Sequence, residues 1–143
     1  MGDNMTEGLK NSILIVDDER SNIAALTFIL SPLYTVYAAK SGAEALEAVN
    51  EFKPDVILLD IIMMDMDGYA VLAEIKKDAR TRHIPVIILS GLRSREDEEK
   101  GFALQAADYI EKPYSEAILK MRVANQMLIV NLRRELEKSE GVR

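Results

Sequence analysis

Five short apolar runs constrain this chain more than any other feature: Ser12–Val16, Tyr34–Ala38, Val56–Leu59, Val86–Leu89 and Asp108–Ile110. The first, third and fourth are almost continuous Ile, Leu and Val. A strand with one wet face alternates apolar and polar residues. One buried on both faces does not, and strands of a parallel sheet are in that situation. Helical patterns fill the intervals. Ile23, Leu26, Phe28 and Leu30 mark the first, and Ala43, Ala45, Leu46 and Val49 mark the second, after the breaker pair Ser41–Gly42. Tyr69, Leu72 and Ile75 mark the third. Phe102 and Leu104 mark the fourth, behind a charged stretch, Arg93–Lys100, that reads as a solvated helix face. Ser115 is placed to cap a last helix opening at Glu116. The alternation predicts an α/β fold with a doubly wound, five-stranded parallel sheet, and right-handed crossovers leave few topologies for it.

Ligands of such sheets bind beyond the carboxyl ends of the strands. Asp17 and Asp18 follow the first run, Asp60 the third and Ser90 the fourth; Lys112 follows the fifth, past Glu111. A parallel sheet brings all of them to one edge. Clustered carboxylates repel one another, and a hard cation among them relieves that repulsion. Magnesium fits, because it takes oxygen ligands and shares its shell with phosphate oxygens. Asp60 is then the candidate nucleophile, forming an acyl phosphate. Lys112 would hold one phosphoryl oxygen as a point charge, and Ser90 would donate a hydrogen bond to another. Each residue also has a plainer reading. Asp17 or Asp18 could cap the first helix, Asp60 could cap or turn the chain, Ser90 could be a turn residue and Lys112 a surface lysine. The plain readings must all hold at once to remove the site, and that favours the chemistry.

Composition narrows the alternatives. The 143 residues suit one domain plus a short appendage. There is no Cys, so disulfides and thiolate metal sites are excluded, and the single His, His83, cannot build a histidine-rich zinc site. A reducing cytoplasm is compatible with this. The formal net charge of -6 argues against a nucleic-acid footprint. No apolar run approaches a membrane span, and Met1–Lys10 has no signal-peptide core; residues 1–10 read as a flexible leader.

The stretches Ile13–Glu19, Val56–Tyr69, Pro85–Gly91 and Ala107–Tyr114, in their order and spacing, resemble the receiver domain of two-component response regulators. The likeness covers roughly Ser12 to Val123. It implies a flavodoxin-like sheet of order 2-1-3-4-5. It implies that Asp60 is phosphorylated, that Asp17 and Asp18 hold magnesium together with the backbone carbonyl of Ile62, and that Ser90 and Lys112 follow the phosphoryl group. By the same resemblance Tyr109 is the aromatic switch residue and the Lys112–Pro113 bond is cis. The partner would be a sensor histidine kinase or a phosphotransfer protein. Two departures stand out: Met64 where the family usually has Pro, and Gly91 where a small residue such as Ala is usual. The family residue two after the phosphoacceptor influences hydrolysis; Ile62 stands there and cannot orient a water, so self-dephosphorylation should be slow.

Glu116 to Lys138 contains no Gly or Pro. An unbroken helix of that length reaches about 35 Å, against about 17 Å for a five-residue strand, so it should overhang the sheet. Met127, Leu128, Ile129, Val130, Leu132 and Leu136 are assigned to the overhang, and an exposed apolar stripe implies a partner. Ile118, Met121, Asn125, Leu128 and Leu132 follow the spacing of a coiled-coil seam, which suggests a homodimer through the last helix. The expected division is a leader (1–10), a receiver domain (11–123), a helical extension (124–138) and a tail (139–143), with an output domain expected beyond residue 138. Two other functions compete. One is a receiver-like interaction module that never accepts phosphate. The other is a haloacid-dehalogenase-like phosphohydrolase, suggested by the spacing of Asp65-Met66-Asp67 but opposed by chain length and by the distance of Asp65 from the strand end.

Overall fold

The computed structural model describes residues 10–63, 67–91 and 95–141. The elements in chain order are β1 (Ser12–Val16), α1 (Arg20–Leu30), β2 (Thr35–Ala39), α2 (Gly42–Phe52), β3 (Val56–Asp60), α3 (Gly68–Lys77), β4 (Val86–Ser90), α4 (Arg95–Ala103), β5 (Asp108–Glu111) and α5 (Glu116–Gly141). The sheet has five strands in the order β2-β1-β3-β4-β5. Every pairing is parallel. This is the doubly wound, flavodoxin-like order that the resemblance implies.

Every residue of β3 and β4 is buried, which is why those runs show no alternation. Their side chains nevertheless divide by face. Leu14, Val16, Ile57, Leu59 and Ile88 meet Ala45, Val49, Val71, Leu72 and Ile75 from α2 and α3. Ile13, Ile15, Leu58, Ile87 and Leu89 meet Leu26 and Leu30 of α1, and Leu119, Val123, Met127 and Val130 of α5. Each fully buried aliphatic side chain contributes about 1.5–3 kcal/mol, so the central strands hold both layers to the sheet.

Several boundaries move for identifiable reasons. The second strand starts at Thr35, because the Tyr34 N–H still donates to Leu30 O at 2.9 Å and the ladder begins with Thr35 N to Asn11 O at 2.9 Å. β3, β4 and β5 each gain one polar residue at the carboxyl end. The ladder continues past their apolar stretch, with Lys112 N donating to Ser90 O at 2.8 Å. Asp60 and Ser90 are therefore the last residues of their strands. Phe28, read as a core marker of α1, lies on its outer face at 81% exposure. Ala43 and Phe102 are also exposed.

Ser41 caps α2 by accepting from Glu44 N, Asp67 caps α3 by accepting from Ala70 N, and Ser115 caps α5 by accepting from Ile118 N at 3.0 Å. The 26 residues of α5 span about 39 Å. The helix runs three residues beyond Lys138. It also passes the expected boundary at Val123 without a break, and Met127 and Val130, assigned to the overhang, are buried on the sheet. The expected seam is exposed throughout: Ile118, Met121, Asn125, Leu128 and Leu132 face solvent, as does Leu136. Lys112–Pro113 is cis. Among the described residues no helix is long and apolar enough to cross a membrane. The leader up to residue 9, Met64, Asp65, Met66, residues 92–94 at the start of the charged stretch Arg93–Lys100, and the last two residues lie outside the described residues.

Candidate functional site

The parallel register brings Asp17, Asp18 and Asp60 to one edge, each offering a carboxylate oxygen within 4.8 Å of the others. Asp60 is 8% exposed and Asp17 only 1%, while Asp18 is half-buried. The plain reading of Asp17 or Asp18 as the cap of α1 fails. The N-cap is Glu19, with no side-chain cap bond, and Asp17 Oδ1 instead accepts from Glu19 N at 3.0 Å. Lys112 reaches in from the far end of β5. Its Nζ lies 3.9 Å from Asp17 Oδ2 and 3.7 Å from Asp60 Oδ2, close enough for attraction but too long for strong hydrogen bonds.

Electrostatic strain follows. Burial pushes the Asp60 carboxyl up to about 6; Asp17 and Asp18 add to the rise, against Lys112 and the Ile62 N–H. Among the described residues, the buried Asp17 Oδ2 has no hydrogen-bond partner. A buried acceptor left without a donor costs roughly 1–3 kcal/mol, more when charged. An orphaned carboxylate oxygen beside two further carboxylates, with no nitrogen or sulfur ligand in the set, fits a hard divalent cation of the magnesium type.

Ser90 is buried at the end of β4, beside Asp60 across the ladder, where Asp60 pairs with Leu89. Ile62 has an exposed side chain, and its N–H donates to Asp60 Oδ1 at 3.3 Å. Tyr109 is half-buried on β5, opposite Ile88, and packs against the core layer of α2 and α3. Asp67 caps α3, and Asp65, the other half of the dehalogenase-like spacing, lies outside the described residues. Gly91 is unconstrained: a Cβ there would meet only Lys112 Cβ, at 3.9 Å.

One residue of the site escaped sequence reasoning. Gly68 opens α3 directly against the loop that carries Asp60. A Cβ there would stand 2.6 Å from Ile61 Cα and 2.7 Å from Asp60 O, and the Gly68 N–H donates to Ile61 O at 2.7 Å. Only glycine allows that approach. The Asp67–Gly68 pair was its only sequence signal.

Comparison with known proteins identifies the family. The family described as "Response regulator receiver domain" matches residues 13–124. A Vibrio cholerae protein named "Probable cyclic di-GMP phosphodiesterase" is 48% identical over 112 residues, 78% of this chain and 25% of that protein. Response regulator PleD of Caulobacter vibrioides is 39% identical over the same share of each. The chain thus spans about a quarter of the length of these two curated relatives. Among solved structures, a CheY-like receiver domain protein from Methanospirillum hungatei superposes with a TM-score of 0.81 at 25% identity, covering 87% of this chain and 98% of that one. Chemotaxis protein CheY4 of Vibrio cholerae gives 0.77 at 26% identity, covering 81% and 98%. With its fold, its strand-end acids and its matched residues, the chain belongs to the response regulator receiver domain family.

Proposed function

We propose that the chain is the phosphoacceptor switch of a two-component system and that Asp60 takes the phosphoryl group. The observation that carries this is the carboxylate cluster with its orphaned Asp17 oxygen and a single lysine held just out of hydrogen-bond range. Asp17, Asp18, Asp60 and the backbone carbonyl of Ile62 would hold magnesium. When bound, the ion neutralises charge on the transferred phosphoryl group.

The donor is a phosphohistidine on a partner kinase or phosphotransfer protein. A carboxylate oxygen of Asp60 attacks phosphorus, the P–N bond breaks, and the imidazole leaves as the electron pair returns to nitrogen. Lys112, already drawn to Asp60, shifts to a phosphoryl oxygen. The Ser90 hydroxyl donates to another. Tyr109 then repacks, and the face of α4, β5 and α5 changes as a two-state population shift. The last helix passes the change to a second copy or to an output domain. The cytoplasm, where soluble kinases and nucleotide pools are found, is the expected location.

Intact-mass spectrometry after incubation with acetyl phosphate and magnesium tests the reading. One added phosphoryl group is expected, absent in Asp60→Asn and without metal. No adduct under any condition would leave a receiver-like interaction module. Ile62 implies an adduct that lasts well beyond seconds.

A further inference from the structure

At the sheet edge opposite the acidic cluster, β3 starts beside a second carboxylate, Asp55. It is buried, and four groups converge on it. Asp55 Oδ2 accepts from Ser12 N at 2.7 Å, Asn11 Nδ2 at 3.2 Å and Ser12 Oγ at 3.4 Å. Asp55 Oδ1 accepts from the guanidinium of Arg134, in α5. Asn11 also exchanges reciprocal amide hydrogen bonds with Asn131 of the same helix, at 3.0 and 3.1 Å. One turn of α5, 120 residues from Asn11 in sequence, is thereby tied to the start of both β1 and β3.

These contacts matter because nothing apolar replaces them. Val130 is buried, and every residue from Asn131 to Glu140 is exposed. Beyond Val130 the helix stands over an open groove of about 830 Å³, lined among others by Val49, Lys53, His83, Val130, Arg134 and Glu137. Arg133 adds a hydrogen bond from its guanidinium to His83 O at 3.3 Å. An exposed ion pair alone is worth little. Here the carboxylate is buried and already anchored to the β1 backbone, so the guanidinium meets a fixed acceptor.

We propose that Asn11, Asp55, Asn131 and Arg134 form a latch that pins α5 from Asn131 onward to the rim of the sheet, and that opening it swings this segment away from the body. The latch is polar and small enough to open without unfolding the domain. It makes the trajectory of the extension a property of the receiver body instead of the helix alone. The proposal stands whether or not Asp60 is phosphorylated.

The absence of native cysteine makes a direct test simple. Spin labels at Glu47→Cys on α2 and Lys138→Cys on α5 report the distance between body and extension in the full chain. Hydrogen exchange reports the helix amides. The unaltered chain should give one narrow distance. Asn131→Ala combined with Arg134→Ala changes only exposed positions. It should broaden and lengthen that distance and speed exchange after Asn131 by about tenfold, with Leu119–Val130 unchanged. Arg134→Lys, which keeps the charge, should fall between the two. An unmoved distance in the double variant would overturn the proposal, even with faster exchange, because the contacts would then only prevent fraying. Equal loosening of Leu119–Val130 would overturn it too, because the helix would then be held as one piece.

Discussion

Replacing Asp60 by Asn should make the metal-free protein more stable, although it removes a group central to the proposed chemistry. Burial, Asp17 and Asp18 raise the folded-state pKa of Asp60 from 3.8 to about 6. Its ionised form is therefore less stable folded than unfolded. The folded state holds the proton more tightly between these values, so stability falls as pH rises through that window and stays low above it. A rise of about two units corresponds to roughly 3 kcal/mol at neutral pH. The amide carries no charge, keeps an oxygen for the Ile62 N–H and leaves Lys112 facing Asp17. A gain of about 1–3 kcal/mol is expected near pH 7.5, or about 2–4 °C in Tm per kcal/mol for a chain of this size. Near pH 4.5 the gain should shrink to about a third, since Asp60 is then protonated in the fold. Urea melts followed by circular dichroism, with a chelator present, measure both values. Magnesium should close the gap at pH 7.5 by stabilising the acid and not the amide. An Asn variant no more stable than the parent at pH 7.5, or a gain that persists undiminished at pH 4.5, would refute this account of the cluster.

The remaining predictions concern other parts of the same machinery. Gly68→Ala drives a methyl group into Ile61 Cα and Asp60 O, neither of which can yield as a side chain would; chemical denaturation should show a loss of about 1–3 kcal/mol, and phosphorylation by acetyl phosphate should slow. Gly91→Ala, with only Lys112 Cβ at 3.9 Å, should change stability by less than about 0.5 kcal/mol and serves as the control. The metal-free rate of any reaction that needs the Asp60 carboxylate should fall as pH drops through about 6, whereas a pKa near 4 by NMR titration would remove the basis for that. Leu128→Glu with Leu132→Glu changes exposed positions of α5; the unfolding free energy should stay within about 0.5 kcal/mol, and light scattering should show loss of any dimer that forms through this helix.

What could be read from the sequence, and what could not, divides along physical lines. β3 and β4 were legible because burial on both faces removes alternation, leaving unbroken aliphatic runs. The site was legible because parallel topology alone determines which residues share an edge: Asp17, Asp60, Ser90 and Lys112 needed no contact information to be brought together. Strand ends were less clear, since the ladder carries on through a polar residue such as Asp60 or Ser90 as readily as through an apolar one. Helix faces were less clear again. Phe28 and Leu26 look alike to a periodicity of 3.6 in a short window, yet one is solvated and the other is core. α5 shows the same ambiguity at larger scale. It carries two apolar stripes on opposite sides, Leu119–Val123–Met127–Val130 and Met121–Leu128–Leu132, and periodicity alone cannot say which meets the sheet.

The contacts least visible in the sequence are those between residues far apart in the chain. Asp55 and Arg134 are separated by 79 positions, and neither is distinctive alone. Gly68 is explained only by a backbone that passes 2.6 Å from where its Cβ would be. Their placement nonetheless has a common logic. β3 is fully buried and five residues long, with Asp60 at one end and, one residue before its start, Asp55 at the other. α5 begins four residues after Lys112, which faces Asp60, and carries Arg134, which meets Asp55. A charged contact therefore sits at each end of β3, one to Lys112 in the segment leading into α5 and one to Arg134 of α5 itself. A change in the charge on Asp60 acts first on Lys112 at the head of α5. The helix can answer as a rigid lever only while its far contact holds. If the Asp55–Arg134 latch is open, the same movement at Lys112 leaves the direction of the extension undetermined. Phosphoryl uptake and latch closure should therefore be energetically coupled: in the spin-labelled chain, the acetyl phosphate adduct should shift the distance between Glu47→Cys and Lys138→Cys to a new narrow value. With Asn131→Ala and Arg134→Ala in place, it should leave a distribution that was already broad unchanged.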